Sequence, residues 1–425
     1  MSLERNIAPR FHKVKDLHFP EYQIVDIKTG IHLYAIKAGT EPVIRLDLVF
    51  NAGLTRQLKK AESSFTAQML SEGTSLKSAS ELADALDFYG AYFQTRSNAD
   101  DAIASLYCLE KHLKSCLPIF IEALVDSIFP SNELDIIRKN SIQKLLVSEK
   151  KNNYLCRKAF YQKLLGANHP YAGFSEKADL ENLTLDDLKS FYKTNYLSGL
   201  KYLILSGNFS EITLSYIHEN IKNCLLENKL EPNGGAAIST SLGKHFIEKN
   251  DSVQSAIRIG KVSIERSHPD YRKLQLLNLV FGGYFGSRLM KNIREDKGLT
   301  YGIYSVLEPY QQTSVWYIDT DINTKNREQG LQEIYKELAL IRDEPIDPDE
   351  LEVAKNYMLG SFLRSLDGPF SLADRLKIII DFGLSKDYYS EFVHIINDMT
   401  PEALMVISNK YFSTENIVEV LVGKK

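Results

Sequence analysis

MTPEALMVISNKYFSTENIVEVLVG, residues 399–423, repeats the pattern of LTLDDLKSFYKTNYLSGLKYLILSG, residues 183–207. The offset is constant: 399 − 183, 412 − 196 and 423 − 207 all equal 216. Each copy has an apolar residue, a threonine, a short amphipathic helix pattern, an aromatic (Tyr196 or Phe412), a turn and a strand ending in glycine. Thr184 and Thr400 are placed to cap their helices, and Pro401 stands at the first helical position, where its missing N–H costs nothing.

Two further segments recur in the same order. ELDIIRKNSIQKLLVS (133–148) matches ELEVAKNYMLGSFLRS (350–365) at an offset of 217 (350 − 133), each with helical periodicity after a turn containing proline. Asp347, Pro348 and Glu350 read as a capping-box-like start. ADALDFYGAYF (83–93) matches KNIREDKGLTY (291–301) with Gly90 against Gly298, an offset of 208 (298 − 90). In each, a helix ends at the glycine and a strand-like run follows.

Three repeats in one order predict a duplicated unit. The stretch EPNGGAAIST (231–240) lacks an apolar period and reads as a linker. The expected organisation is an N-terminal half over 1–230, a linker over 231–243 and a C-terminal half over 244–425. Strand patterns at 43–50, 102–109, 202–205, 256–259, 314–318 and 417–422 are separated from clustered helices. That predicts an α+β fold, each half a mostly antiparallel sheet with helices packed on one face.

Composition narrows the function. The chain has 425 residues, 44% hydrophobic and 25% charged, and a net charge of −4. That balance gives no pull towards nucleic acid or an anionic membrane. No run reaches the roughly 18 apolar residues of a membrane span; the most apolar stretch, 117–125, is broken by Pro118 and Glu122. The start MSLERNIAPR has no apolar core, so a cytoplasmic place is expected. The cysteines at 108, 116, 156 and 224 form no CxxC, and reduced, mostly buried thiols are expected. There is no GxxxxGK[ST], no GxSxG and no GxGxxG; FGGYFGSR (281–288) follows a helix-like run. Of the nine histidines, no two stand three to five apart on a helix pattern, and HExxH and HxxEH are both missing. Two imidazoles one helical turn apart, the local basis of a helical zinc site, are therefore absent.

Together with the duplication, FGGYFGSRLMKNIREDKGLTYGIYS (281–305), NHPYAG (168–173) and the ML and GT of 69–74 resemble the insulinase/pitrilysin group of metallopeptidases, in its processing-peptidase type. The resemblance spans nearly the whole chain. In active members a helix before the ML–GT segment carries HxxEH, two zinc-binding histidines and a glutamate that activates water, and a further glutamate well downstream completes the shell. Here the helix reads SFTAQMLSEGT. Ser64 and Gln68 stand at the histidine positions, Ala67 at the base, and Lys144 maps to the third ligand. Ser and Gln are poor zinc ligands and an ammonium repels the ion, so no metal is expected in this chain.

The resemblance also implies what is kept. An arginine and a tyrosine of the second half, here Arg294 and Tyr301, reach across a closed chamber and hold substrate carbonyls beside the zinc. A helix–Gly298–strand corner suits that task, because both side chains donate hydrogen bonds and Arg keeps its charge. In the bare residues, the alternative is Arg294 paired with Glu295 or Asp296 and Tyr301 half-buried. The expected function is a non-catalytic subunit of a heterodimeric zinc endopeptidase. Zinc would sit in an HxxEH-bearing homologous subunit, with a peptide as substrate; a homodimer is possible in isolation. The alternative is a scaffold or peptide-binding protein with no proteolytic role. Gln94 and Thr95 are expected on a strand edge that an extended peptide can join. His169 is expected to order its loop. Tyr284 and Phe285 are expected to pack between the halves.

Overall fold

The computed structural model describes residues 13–224 and 234–425. The N-terminal half carries strands β1 (Gln23–Lys28), β2 (Ile31–Lys37), β3 (Val43–Phe50), β4 (Tyr92–Ser97), β5 (Ala102–Leu109) and β6 (Leu200–Gly207). Its helices are α1 (Glu62–Met69), α2 (Ala79–Asp87), α3 (Leu113–Val125), α4 (Ser131–Ser148), α5 (Asn152–Leu165), α6 (Lys177–Asn182), α7 (Leu185–Tyr192) and α8 (Glu211–Cys224). The C-terminal half carries β7 (Gly243–Glu248), β8 (Gln254–Ser263), β9 (Thr300–Pro309), β10 (Ser314–Asn323) and β11 (Val418–Gly423). With them go α9 (Tyr271–Asn278), α10 (Arg327–Asp343), α11 (Pro348–Arg364), α12 (Pro369–Asp381), α13 (Tyr388–Asp398) and α14 (Pro401–Tyr411).

The two sheets run β1-β2-β6-β3-β5-β4 and β7-β11-β8-β10-β9. Without β1, the first is the second strand for strand. The pairs β2·β6 and β7·β11 are parallel, and the remaining pairs are antiparallel. Helices keep the offsets too. The starts of α4 and α11 (348 − 131) and of α5 and α12 (369 − 152) both differ by 217, and those of α7 and α14 (401 − 185) by 216. Thr184 and Thr400 are both N-caps. Thr184 Oγ1 accepts from the Asp187 N–H at 3.3 Å while the Asp187 carboxylate accepts from the Thr184 N–H at 2.9 Å. The expected loss for Thr184→Ala is about 1 kcal/mol of stability, read as a lowered midpoint in urea unfolding. At the start of α11, Asp347 caps the backbone as expected, but the box is not reciprocal: Glu350 is taken by Arg288, which donates from Nε at 2.9 Å and Nη2 at 2.8 Å.

Each half packs its own helices on one sheet face. The opposite face is covered as well, by a helix from the other half. Helix α5 lays Cys156, Phe160, Leu164 and Leu165 on Ala256, Val418, Val420 and Val422 of the second sheet. Helix α12 lays Leu372, Ala373 and Leu376 on Ile36, Val49, Tyr202 and Ile204 of the first. This exchange explains why β3 and β11 are buried at nearly every position rather than alternately. It also makes the halves one packed body, since each fully buried aliphatic side chain in these layers contributes roughly 1.5–3 kcal/mol.

Residues 231–233 of the expected linker lie outside the described residues. From 234 to 242 the chain has no regular structure but is docked: the Ser239 and Ser241 N–H groups donate to Leu165 and Lys163 carbonyls at 3.0 and 2.7 Å. Strand β7 begins at Gly243, the last expected linker residue. Cys108, Cys116 and Cys156 are buried free thiols; burial pushes the Cys108 thiol up to about 12.

Candidate functional site

Two surfaces carry the residues singled out in the sequence. The first lies on α1, which packs against α4 and α7 under the first sheet. Its N-cap, Ala61, sits in the left-handed region at φ 72°. Glu62 is buried and accepts from the Leu58 N–H at 2.7 Å, closing the turn before the helix. Ser64 and Gln68 are one turn apart and therefore share a face. Both spend their polar groups on their own helix: Ser64 Oγ donates to the Ala61 carbonyl at 3.2 Å, and Gln68 Nε2 donates to the Ser64 carbonyl at 3.0 Å. Ala67 is buried against β4, where Thr95 Oγ1 donates to its carbonyl at 2.7 Å. Lys144 is exposed on α4 with no ion pair among the described residues.

That set does not fit zinc. Ser64, Gln68 and Lys144 offer a hydroxyl, a carboxamide and an ammonium, and Ala67 only a methyl group, none of which suits zinc or a general base. Among the described residues, no group of three or more His, Cys, Asp or Glu side chains is placed to hold a metal ion.

Gln94 and Thr95 lie in β4, the outer strand of the first sheet, hydrogen-bonded to β5 alone. Gln94 Oε1 accepts from Arg96 Nη2 at 2.8 Å. His169 orders its loop: Nδ1 accepts from the Tyr171 N–H at 3.2 Å, and the ring is buried. Burial lowers its pKa, although a hydrogen bond with the Ala236 backbone works the other way.

The second surface is the corner leading into β9, the outer strand of the second sheet. Helical residues 288–296 widen into i→i+5 turns over Met290–Asp296, a geometry frequent at functional sites. Gly298 ends the helix at φ 61°, as Gly90 does at φ 61° in the first half; both take the left-handed conformation that side chains with a Cβ disfavour. Strand β9 starts two positions later, at Thr300. Arg294 then reaches the strand it precedes: Nε donates to the Tyr301 carbonyl at 3.0 Å. The guanidinium lies over the Phe285 ring, 4.6 Å from its centroid, and Nη1 is 3.7 Å from a Glu295 oxygen. Tyr301 is 92% exposed, and Tyr304 and Phe285 are also open to solvent.

The corner thus brings Arg294 and Tyr301 together, with the phenol fully exposed rather than half-buried. Its aromatic partners differ from expectation. Tyr284 does not pack between the halves: it lies against Tyr357 of α11, within its own half, at 4.8 Å between ring centroids. Phe285 does not pack between them either, and carries the Arg294 guanidinium instead. Sequence patterns miss this contact because it joins a loop to a helix with no periodic spacing. The one available signal was Gly286, which hints at a tight loop. No helix among the described residues is long and apolar enough to cross a membrane.

Comparisons with known proteins bear on the fold and the family resemblance. The family described as "Peptidase M16 inactive domain" matches residues 182–358. A Bacillus subtilis (strain 168) protein named "Uncharacterized zinc protease YmxG" is 24% identical over 318 residues, 74% of this chain and 76% of its own. A Helicobacter pylori (strain ATCC 700392 / 26695) protein named "Non-peptidase homolog YmxG" is 26% identical over 302 residues, 69% and 68% of the two chains. The crystal structure of a peptidase M16 inactive domain from Pseudomonas fluorescens superposes with a TM-score of 0.85 at 25% identity, covering 95% of this chain and 98% of that one. Motif, duplicated fold and matched domain point the same way: residues 182–358 match the M16 inactive domain, and the chain is similar over most of its length to proteins of the M16 group.

Proposed function

We propose that the chain is the metal-free subunit of a heterodimeric zinc endopeptidase, binding the peptide with Arg294 and Tyr301 beside zinc held by an HxxEH-bearing partner. One observation carries the reading: α1 and α4 offer no zinc ligands at the expected positions, while at the corner before β9 Arg294 is tied to the Tyr301 backbone and the Tyr301 side chain is exposed. Arg294 is anchored through Nε, which leaves its Nη groups to donate to peptide carbonyls. Tyr301 presents a hydroxyl donor free of burial. A donor fixed in advance beside a carbonyl, as the anchored Arg294 is, binds the ground state and stabilises charge as it develops on the oxygen. The partner supplies the metal and the base. Three free thiols among the described residues suit a reducing cytoplasm, where the reading places the complex.

The test is cleavage of a quenched fluorescent peptide by the chain alone, by an HxxEH-bearing homologue from the same source, and by the mixture, with zinc measured in each. Activity should need the mixture, and zinc should follow the homologue. Arg294→Ala should lower kcat/KM about 10- to 100-fold, the range for losing a hydrogen bond to a charged donor. Arg294→Lys should behave like the alanine variant, because lysine has neither the Nε contact nor the fork. Cleavage that ignores Arg294→Ala and Tyr301→Phe would sink the proposal.

A second reading is a scaffold without a proteolytic role. The Helicobacter pylori relative named as a non-peptidase homologue favours it. It is the better account if the mixture cleaves nothing and the chain elutes as a homodimer that binds peptide.

A further inference from the structure

Phe285 is 61% exposed. Its loop is pinned on both sides. Tyr284, one residue before, lies against Tyr357. Gly286, one residue after, leaves no room for a side chain, since a Cβ there would stand 2.9 Å from the Tyr284 ring. The two aromatics therefore splay apart, one into its own half and the other under Arg294. The guanidinium, 4.6 Å from the Phe285 centroid, is held at a second point by Nε on the Tyr301 carbonyl at 3.0 Å. Glu295 competes only loosely, at 3.7 Å from Nη1.

We infer that Phe285 is a positioning residue: its ring face fixes the plane of the Arg294 guanidinium so that the Nη donors meet a peptide carbonyl already oriented. The role rests on the reading of Arg294 as a peptide-binding group. The ring quadrupole, not apolar bulk, does the holding. An Arg with four rotatable bonds would otherwise lose that freedom on binding each peptide.

The experiment uses full-length chain carrying arginine labelled with 15N, and the same chain mixed with the HxxEH-bearing homologue. The Arg294 Nε–H resonance, assigned by its loss in Arg294→Ala, should be shifted upfield by the ring and protected from exchange. Phe285→Leu keeps the apolar bulk and removes the ring; the shift and protection should disappear, and kcat/KM in the mixture should fall about two- to fivefold. Phe285→Tyr should restore both. Phe285 is exposed, so neither variant threatens folding. A resonance indifferent to Phe285→Leu, beside cleavage that responds to Arg294→Ala, would overturn the positioning role alone. A resonance that changes in Phe285→Leu, beside cleavage indifferent to Arg294→Ala, would overturn the peptide-binding reading and the positioning role with it.

Discussion

Replacing Lys377 by methionine is expected to destabilise the chain by about 3–5 kcal/mol, the cost of stranding a buried charge. Lys377 sits on α12, the helix the second half lends to the first sheet. Its ammonium contacts Asp101, in the β4–β5 return, and Asp381 one turn along its own helix. The Asp101 and Asp381 side chains are 4% and 8% exposed. Asn98 Nδ2 donates to Asp101 at 2.7 Å, and the Tyr202 hydroxyl donates to Asp381 at 2.6 Å. After the substitution, Asp381 keeps Lys201 at 3.7 Å as its cation. Two carboxylates would share a dry seam. The double variant Lys377→Met/Asp101→Asn should recover part of the loss, because one of the stranded charges is gone. Asp374→Ala on the same helix is the contrast: Asp374 pairs with Arg45 but is 67% exposed, so about 1 kcal/mol or less is expected.

The pH dependence follows from the same groups. Burial raises the Asp101 pKa, but Lys377 and Asn98 outweigh it and the net is below the ordinary carboxylate value. Burial lowers the Lys377 pKa, but Asp381 and Asp101 outweigh it and the net is above the ordinary lysine value. A depressed carboxylate contributes stability above its unfolded pKa and loses it as pH falls through the folded one. A raised amine contributes below its unfolded pKa and loses it as pH rises through the folded one. The seam is therefore strongest between the ordinary carboxylate and lysine ranges. Guanidinium unfolding at neutral pH and near pH 3 should show the wild-type advantage over Lys377→Met shrinking in acid. A loss below about 1 kcal/mol at neutral pH, the range of an exposed pair, would mean that this seam does not hold the halves.

Much of the fold was legible because duplication leaves a signal that local propensity does not. The constant offsets fix which helices correspond, and the caps at Thr184 and Thr400 fall where their side chains dictate. The strands β1, β2 and β7 were not legible. Strand β7 is exposed at five of six positions, so it has no alternation to read, and it pairs with β11 in parallel across most of the half. Nor did the sequence announce the exchange of α5 and α12. Cys156, Phe160 and Leu164 recur at helical spacing and say that one face is buried; periodicity cannot say against which sheet. Arg294 and Tyr301 stand out in the sequence because the parts of their motif lie close together in the chain. Phe285 and Glu350 were missed or misassigned because their partners are set by tertiary approach. Glu350 could cap its own helix or pair with Arg288, and a bidentate guanidinium is the stronger partner.

Rebuilding the ligand set is expected to give this chain zinc. Ser64→His, Gln68→His and Lys144→Glu together should bind one zinc ion with a Kd of about 1 µM or tighter, a gain of roughly 8 kcal/mol in binding free energy. Positions 64 and 68 share one face of α1 a turn apart, which is the spacing two imidazoles need. Gln68 is exposed and Ser64 half-buried, so imidazoles fit without repacking the core. Both present side chains bond only to their own helix and nothing else is lost with them. Lys144 has no ion pair to break among the described residues, and turning it to glutamate replaces repulsion of the ion with attraction. The triple variant should bind zinc and leave peptide intact, since no base is present. Adding Ala67→Glu should bring slow peptide cleavage, at a stability cost of about 1–3 kcal/mol, because Ala67 is buried against β4 and a longer side chain must find room. Competition with a chromophoric chelator reads the affinity, and far-UV dichroism shows that each variant is folded. A folded triple variant with no zinc would mean that α1 and α4 do not converge as a ligand face. The proposed division of labour between this chain and an HxxEH-bearing partner would then lose half its basis.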